Sequence, residues 1–459
     1  MYKLKFLNHA SYALETENAI LLHDPWFEGN AFNDGWGLKF QDMSNAEILV
    51  YLKNSKKKIF IWYSHEHSDH FNISFLKESK KENLNITILF QRTLDKRVVK
   101  FLKKNNFDVI ECFDGKEYKL DHNFIFTVWR YSYLDSFTIS NLNGIKILNI
   151  NDCVIQTIAK AKKIKKQINK ITNKIDILFT QFGYANWIGR EEDKYLRLNE
   201  SNEKLQRIFV QDKVFNPKRI IPFASFTYFS KVDNYYMNEE QNRISSLRNS
   251  SLLVDLQEKI VFMKPNQIVD LDKNIYEDQL SQKTKEAEKF WERLEIKIKN
   301  QELKIFEPFT KDFAEVEKVA RSYITKINKE CLLATYFFEK VGALGLRPLK
   351  ILVYDLKEVF SLSYVHGFNR EILESNESID LSIHSNEIFF ILNNAFGWDA
   401  MHISGSFRLE KFSNMKKIHN FFRWQNIVKN GFSYRKPLIS FRVIINKLLE
   451  NFQNLFHSC

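Results

Sequence analysis

Between Ser64 and His70 the chain reads Ser-His-Glu-His-Ser-Asp-His, so three imidazoles (His65, His67, His70) and two carboxylates (Glu66, Asp69) fall within six residues. The apolar run Ile59-Phe60-Ile61-Trp62-Tyr63 just before it has the length and character of a buried strand. A tight loop at the end of a rigid strand can aim several side chains at one point with little ordering cost. Neutral imidazole and carboxylate are the usual ligands of zinc and of non-haem iron, so the segment points to metal chemistry. Histidine accounts for only 11 of 459 residues, which makes three in six a poor accident for a polar surface loop.

The elements that would position this loop are legible on either side. Residues 2–7, Ser11–Glu15 and Ala19–His23 alternate with near period two and read as short strands ending in Asp24-Pro25-Trp26. Residues 141–150 read as a hairpin around Asn143-Gly144, a pair that tolerates the positive φ angles of a two-residue turn, and deliver Asp152 and Cys153. Residues 1–265 alternate strands with amphipathic helices. A Lys/Glu-rich helix over 278–299 opens a second part in which 312–327 and 385–395 read as helices and 351–356, 378–383 and 400–409 as strands.

The His-x-His-x-Asp-His pattern resembles the signature of the metallo-β-lactamase superfamily, as do Asn8-His9-Ala10-Ser11 and the Asp-Pro-Trp turn. That resemblance implies an α/β fold, an αββα sandwich over residues 1–265, with Asp152 as the carboxylate bridging two metals. Within the superfamily, His23 to Leu38 is similar to the corresponding segment of CMP-N-acetylneuraminate hydroxylases. Leu134-Asp135-Ser136, Asn151-Asp152-Cys153, Pro222-Phe223-Ala224-Ser225, Lys264-Pro265 with Asp270-Leu271, and Phe396-Gly397-Trp398-Asp399 through Gly405 and Arg408-Leu409 are similar too. This implies that residues 266–459 form a C-terminal α+β domain like that family's, and that the substrate is a small anion of the nucleotide-sugar kind.

Two departures qualify the resemblance. The family carries a Rieske domain, whose cluster needs two Cys and two His ligands. This chain opens directly on lactamase-like strands, and Cys112, Cys153, Cys331 and Cys459 form no CxxC or CxH spacing, so no Rieske cluster is expected. In addition, Tyr131 and the pair Ser230-Lys231 stand where two further imidazoles belong. The ligands carried over are His65 and His67 for one metal, Asp69 and His70 for the other, and Asp152 between them. A catalytic metal takes about three protein ligands, so one ion, or a weakly held pair, is expected. Tyr131 as a phenolate ligand, Lys231 as a fixed charge facing an anionic substrate or an exposed strand-end lysine, His122 as a substitute imidazole or a surface turn residue, and His9 as support behind the ligands remain open.

Composition adds bounds. Few scattered cysteines, no N-terminal apolar leader and no apolar run of spanning length lead us to expect a cytoplasmic protein without a membrane anchor. The net charge of +12 admits a polyanionic partner. The densest basic stretch, Lys160 to Lys174, nonetheless carries isoleucines at helical spacing and reads as a solvated helix face, so nucleic acid is the less favoured partner.

Function then depends on the metal. With zinc, or with manganese, bound water attacks phosphorus or carbonyl while Asp69 or Asp152 orients it or takes its proton. This makes a hydrolase of a phosphorylated, nucleotide-linked small molecule the first expectation, with a nuclease or phosphodiesterase as a variant. With iron the chain would be an oxygenase fed by a separate electron-transfer protein. A non-catalytic binding or scaffold subunit with a degenerate site is the third reading.

Overall fold

Strands buried along their whole length need cover on both faces, and Ser11–Glu15, Ala19–His23 and Ile177–Gln181 are buried throughout. The computed structural model, which describes residues 2–429, 432 and 433 apart from 94, 133, 343–344 and 373–377, supplies that cover as four layers. One sheet has seven strands in the order Ile268–Asp270, Lys3–Asn8, Ser11–Glu15, Ala19–His23, Lys58–Tyr63, Ile86–Gln91 and Asp108–Cys112. The other has six, in the order Arg219–Phe223, Ile177–Gln181, Ile145–Asn149, Ser136–Leu142, Phe124–Arg130 and Glu117–Asp121. Their inner faces share one apolar core containing Phe6, Tyr12, Trp62, Phe126, Val128 and Phe179.

Helices Asn45–Ser55, Ile73–Lys81 and Arg97–Lys104 close the outer face of the first sheet through Leu49, Phe75 and Leu102. Helices Ile158–Ile168 and Lys194–Phe215 close the second through Ile164, Ile168, Leu205 and Ile208. The fold is therefore an αββα sandwich, two sheets packed face to face with helices on both outer faces. In Ile158–Ile168 the residues Ala161, Ile164 and Ile168 face inward, which leaves the lysines as a solvent-facing side.

A second core gathers helices Phe313–Val341, Ser385–Asn393, Gly397–Ser404 and Asn414–Lys429 around a four-stranded sheet ordered Gly367–Glu371, Glu358–Ser363, Leu349–Val353 and Leu381–Ile383. The strand expected at 400–409 is instead the helix Gly397–Ser404. Met401, Ile403, Phe407 and Leu409 alternate like a strand, but Trp398 and Met401 share a buried helical face and Gly405 (φ +72°) ends the helix in the left-handed region. Phe421, Phe422 and Trp424 are buried in this core. Among the described residues, no helix is long and apolar enough to cross a membrane.

Beyond residue 265 the chain still builds the sandwich. Ile268–Asp270 pairs with Lys3–Lys5, and Trp291 of helix Tyr276–Lys299 stacks on Phe226 at 3.8 Å and donates to the Met263 carbonyl at 2.8 Å. We propose that the division between the two parts falls at about residues 300–311 rather than at 265; the end of the second part, from residue 434, lies outside the described residues. Trp291→Ala should therefore destabilise the sandwich by about 3–5 kcal/mol, read as a lower denaturation midpoint with the slope unchanged.

Candidate metal centre

Strand ends of both sheets meet at one edge of the sandwich, and the chemically active side chains gather there. His65 follows Lys58–Tyr63, and His70 is brought back by a tight turn in which the His70 and Phe71 amides donate to the His67 carbonyl. Asp152 follows Ile145–Asn149, and His9 sits in the turn between the first two strands. His65 Nε2 lies 2.9 Å from His67 Nδ1 and 4.0 Å from Asp152 Oδ2. His70 Nε2 lies 3.2 Å from Asp69 Oδ2 and 3.5 Å from Asp152 Oδ2, while His9 Nε2 is 3.5 Å from Asp69 Oδ2.

Among the described residues, two overlapping groups have donor atoms close enough to hold an ion: His9, Asp69 and His70; and His65, His70 and Asp152. Donors about 2.1 Å from a common ion, at right or tetrahedral angles, stand about 3.0–3.4 Å apart. Most of these separations fall near that range. The hydrogen-bond pattern agrees, because Asp69 Oδ1, His70 Nε2 and both ring nitrogens of His9 are buried with no hydrogen-bond partner. A buried polar atom left in this state costs about 1–3 kcal/mol, and lone pairs converging on an ion satisfy it. The donor set is nitrogen and oxygen only, so it fits zinc, iron or manganese.

The support behind these side chains is specific. The fully buried Asp24 carboxylate accepts from the Ser64 amide at 2.7 Å, from His70 Nδ1 at 3.0 Å and from Asn151 Nδ2 at 3.1 Å. The proton is thereby fixed on His70 Nδ1 and Nε2 faces the cluster. Gln181 donates through Nε2 to Asp152 Oδ1 at 3.1 Å and accepts from the buried Lys204 ammonium at 2.9 Å. His9, Asp24 and Asn151 all hold positive φ (35°, 37° and 44°), a concentration of unusual backbone at the edge that carries the cluster.

Electrostatics divide the imidazoles. Burial holds His65, His67 and His9 below the ordinary histidine range, so they are neutral and ready to donate lone pairs. At His70 burial acts in the same direction, but the carboxylates of Asp69, Asp152 and Asp24 outweigh it and lift the group well above that range. Burial would raise the two carboxyls; the His70 charge instead holds Asp69 well below its usual range and Asp152 at about 2. Burial beside Arg207 brings Lys204 down to about 8.

The remaining expected residues are placed elsewhere. The Tyr131 hydroxyl donates to the Val154 carbonyl at 2.6 Å, so it is committed to backbone. His122 is exposed in the turn before Phe124–Arg130, at the opposite end of that strand from Tyr131. Lys231 is buried in an ion pair with Glu387, which also accepts from Asn33 Nδ2 at 2.7 Å. The sequence reading passed over the roles of Asp24, Gln181 and Lys204. Asp24 was visible in its Asp-Pro-Trp turn, whereas nothing local marks Gln181 or Lys204.

His67 opens onto a cavity of about 930 Å³ between the sandwich and the second core. Phe32, Phe101 and Phe396 form apolar walls, and Arg97 and Lys429 contribute positive charge. Arg97 is held by Glu66 at 3.0 Å and by Asp95. Lys429 lies over the Phe396 ring and has no carboxylate in ion-pair contact among the described residues. Burial and the neighbouring Arg97 bring it down to about 7.

No family model matches the chain. It is 24% identical over 290 residues to a cytidine monophosphate-N-acetylneuraminic acid hydroxylase of Xenopus laevis, covering 59% of this chain and 46% of that protein. It is 28% identical over 159 residues to the inactive human protein of the same name, covering 33% and 30%. The chain thus spans about half the length, or less, of the curated relatives it matches. Among solved structures it is similar to CmlA, a diiron beta-hydroxylase from Streptomyces venezuelae, with 14% identity, a TM-score of 0.39 and coverage of 59% and 54%.

If Asp24 orients His70, Asp24→Asn should weaken metal binding by about 10–100-fold. A titration against a competing chelator reads this directly, and unchanged affinity would remove the orienting role.

Proposed function

We propose that this chain, a metallo-β-lactamase-fold protein similar in sequence to cytidine monophosphate-N-acetylneuraminic acid hydroxylases, is a metal-dependent hydrolase of a phosphorylated, nucleotide-linked small molecule. The observation that carries the reading is the convergence of imidazoles and ionised carboxylates at the mouth of a large cavity with apolar walls, which Arg97 and Lys429 enter together with Glu66 and Asp399. A divalent cation held there supplies Lewis acidity and brings a water molecule near its deprotonation point at neutral pH.

The chain's own groups divide the remaining work. His65, His67, His70, Asp69 and Asp152 would hold the ion, and Asp69 or Asp152 would orient a water molecule and accept its proton. Arg97, fixed by two carboxylates, and Lys429, without such a partner, attract the substrate's phosphate from the cavity side. Phe32, Phe101 and Phe396 surround the organic part and exclude water.

A second reading, an iron-dependent oxygenase supplied by an electron-transfer protein, is favoured by the names of the sequence relatives. Metal analysis of protein purified anaerobically without chelator, combined with a phosphodiester panel and oxygen-uptake assays, separates the two. We expect zinc or manganese and phosphoester cleavage, with His67→Ala and Asp69→Ala each lowering kcat by about 10²–10⁴-fold. Iron with substrate-dependent oxygen uptake supports the oxygenase, and full activity in both variants overturns either enzyme reading.

Lys429 sets a pH dependence. Its folded value of about 7 means that its positive charge is present below that pH and lost above it. Binding of an anionic ligand such as a nucleoside monophosphate should weaken as pH rises through about 7, and Lys429→Met should flatten that part of the profile.

A further inference from the structure

His9 was expected behind the ligands, yet its surroundings differ from those of a supporting histidine. A supporting imidazole hydrogen-bonds to the group it orients. The His9 ring is 1% exposed, and neither of its nitrogens has a hydrogen-bond partner. His23 is likewise buried without partners, but it is stacked on Tyr12 at 4.0 Å among aromatic rings. His9 faces charge: Nε2 is 3.5 Å from Asp69 Oδ2, and its ring centroid is 5.7 Å from that of His70.

The backbone is built to hold the ring there. The His9 amide donates to Asn8 Oδ1 at 3.0 Å and its carbonyl accepts from the Ala224 amide at 2.9 Å, pinning the turn from both sides. The pairing register with the second strand shifts between Phe6 and Asn8, and His9 adopts φ +35°. Trp26 closes on the ring edge-on at 5.5 Å, leaving it directed at Asp69 and His70. A non-glycine residue in this conformation, with an unsatisfied buried imidazole, is costly unless the ring has a further partner.

We propose that His9 is a direct ligand of a second cation, which it binds together with Asp69 and His70, with Asp152 between this ion and one held by His65 and His67. This rests on the reading of the cluster as a metal centre. It assigns a third protein ligand to the half of the site that the sequence leaves with two, in place of an imidazole missing at Tyr131 or Lys231.

The test counts cations per chain by cobalt titration and elemental analysis in wild type, His9→Gly and His67→Ala, with circular dichroism and thermal melts of the chelator-treated proteins as the folding check. Glycine suits the positive φ and leaves a hole that free imidazole can enter. Wild type should bind two equivalents. His9→Gly should bind one, with the second weakened at least about 100-fold, and free imidazole should restore it together with its visible cobalt absorption. His67→Ala should retain the His9-dependent equivalent. Two equivalents of unchanged affinity in folded His9→Gly overturn the assignment, as does a single equivalent that wild type and His9→Gly share; in both cases the metal-centre reading survives. No cation on wild type overturns both. Should His9→Gly fail its folding check, His9→Gln serves in its place with the same two outcomes.

Discussion

A carboxylate with no access to water must be satisfied by protein donors, and at Asp24 that requirement organises the active edge. Its two oxygens take the Ser64 amide, His70 Nδ1 and Asn151 Nδ2, so the segment after Ala19–His23 that carries Asp24 is tied to the segments after Lys58–Tyr63 and Ile145–Asn149, three strand ends in two sheets. Removing any of these donors leaves charge stranded in a medium of low polarity, so the three segments are held in a single mutual arrangement. The loop from His65 to His70 and the turn leading to Asp152 are therefore fixed relative to each other before any ion is considered. The same carboxylate decides which nitrogen of His70 is presented to the cluster.

The second core depends on this edge and also completes it. Trp26, Trp36, Tyr184, Trp187 and Phe229 come from the sandwich sequence yet pack in the core built by residues 316–424. Asn234 donates to the carbonyls of Gly35 and Ser404, and Lys231 crosses to Glu387. At Gly35 an added Cβ would collide with the Ser404 side chain, so this position needs glycine for the close approach between the two parts. Phe396 and Lys429 reach the cavity from the second part, opposite His67 and Arg97 from the first.

Legibility followed the range of the interactions. The strands around His65 and the Asn143-Gly144 hairpin were readable because period two and turn chemistry are local. The clustered imidazoles and carboxylates of the loop were readable because their density is local too. The helix Gly397–Ser404 was misread because its apolar residues satisfy both periods, and only packing against the rest of the second core decides between them. Lys231 was read as a free cation since sequence cannot reveal Glu387, 156 residues away. The division at 265 was drawn from composition, whereas Trp291 returns to stack on Phe226.

His9 is the residue on which these ranges meet. Its position in an Asn-His-Ala-Ser turn is local and was noticed, but its role depends on what stands opposite, and Asp69 and His70 arrive from another strand end. The Tyr131 hydroxyl is bonded to a backbone carbonyl and Lys231 is paired with Glu387, so both substitute positions are engaged elsewhere in the fold. The loss of two imidazoles expected from family resemblance is therefore not an argument for a decayed site by itself. A decayed site would be free to satisfy or expose its buried donors, whereas this one keeps Asp69 Oδ1, His70 Nε2 and both His9 nitrogens buried, unpartnered and close together. That cost, offset only in part by the pairing of His70 with Asp69 and Asp152, is kept in an arrangement whose donor atoms are able to hold a cation.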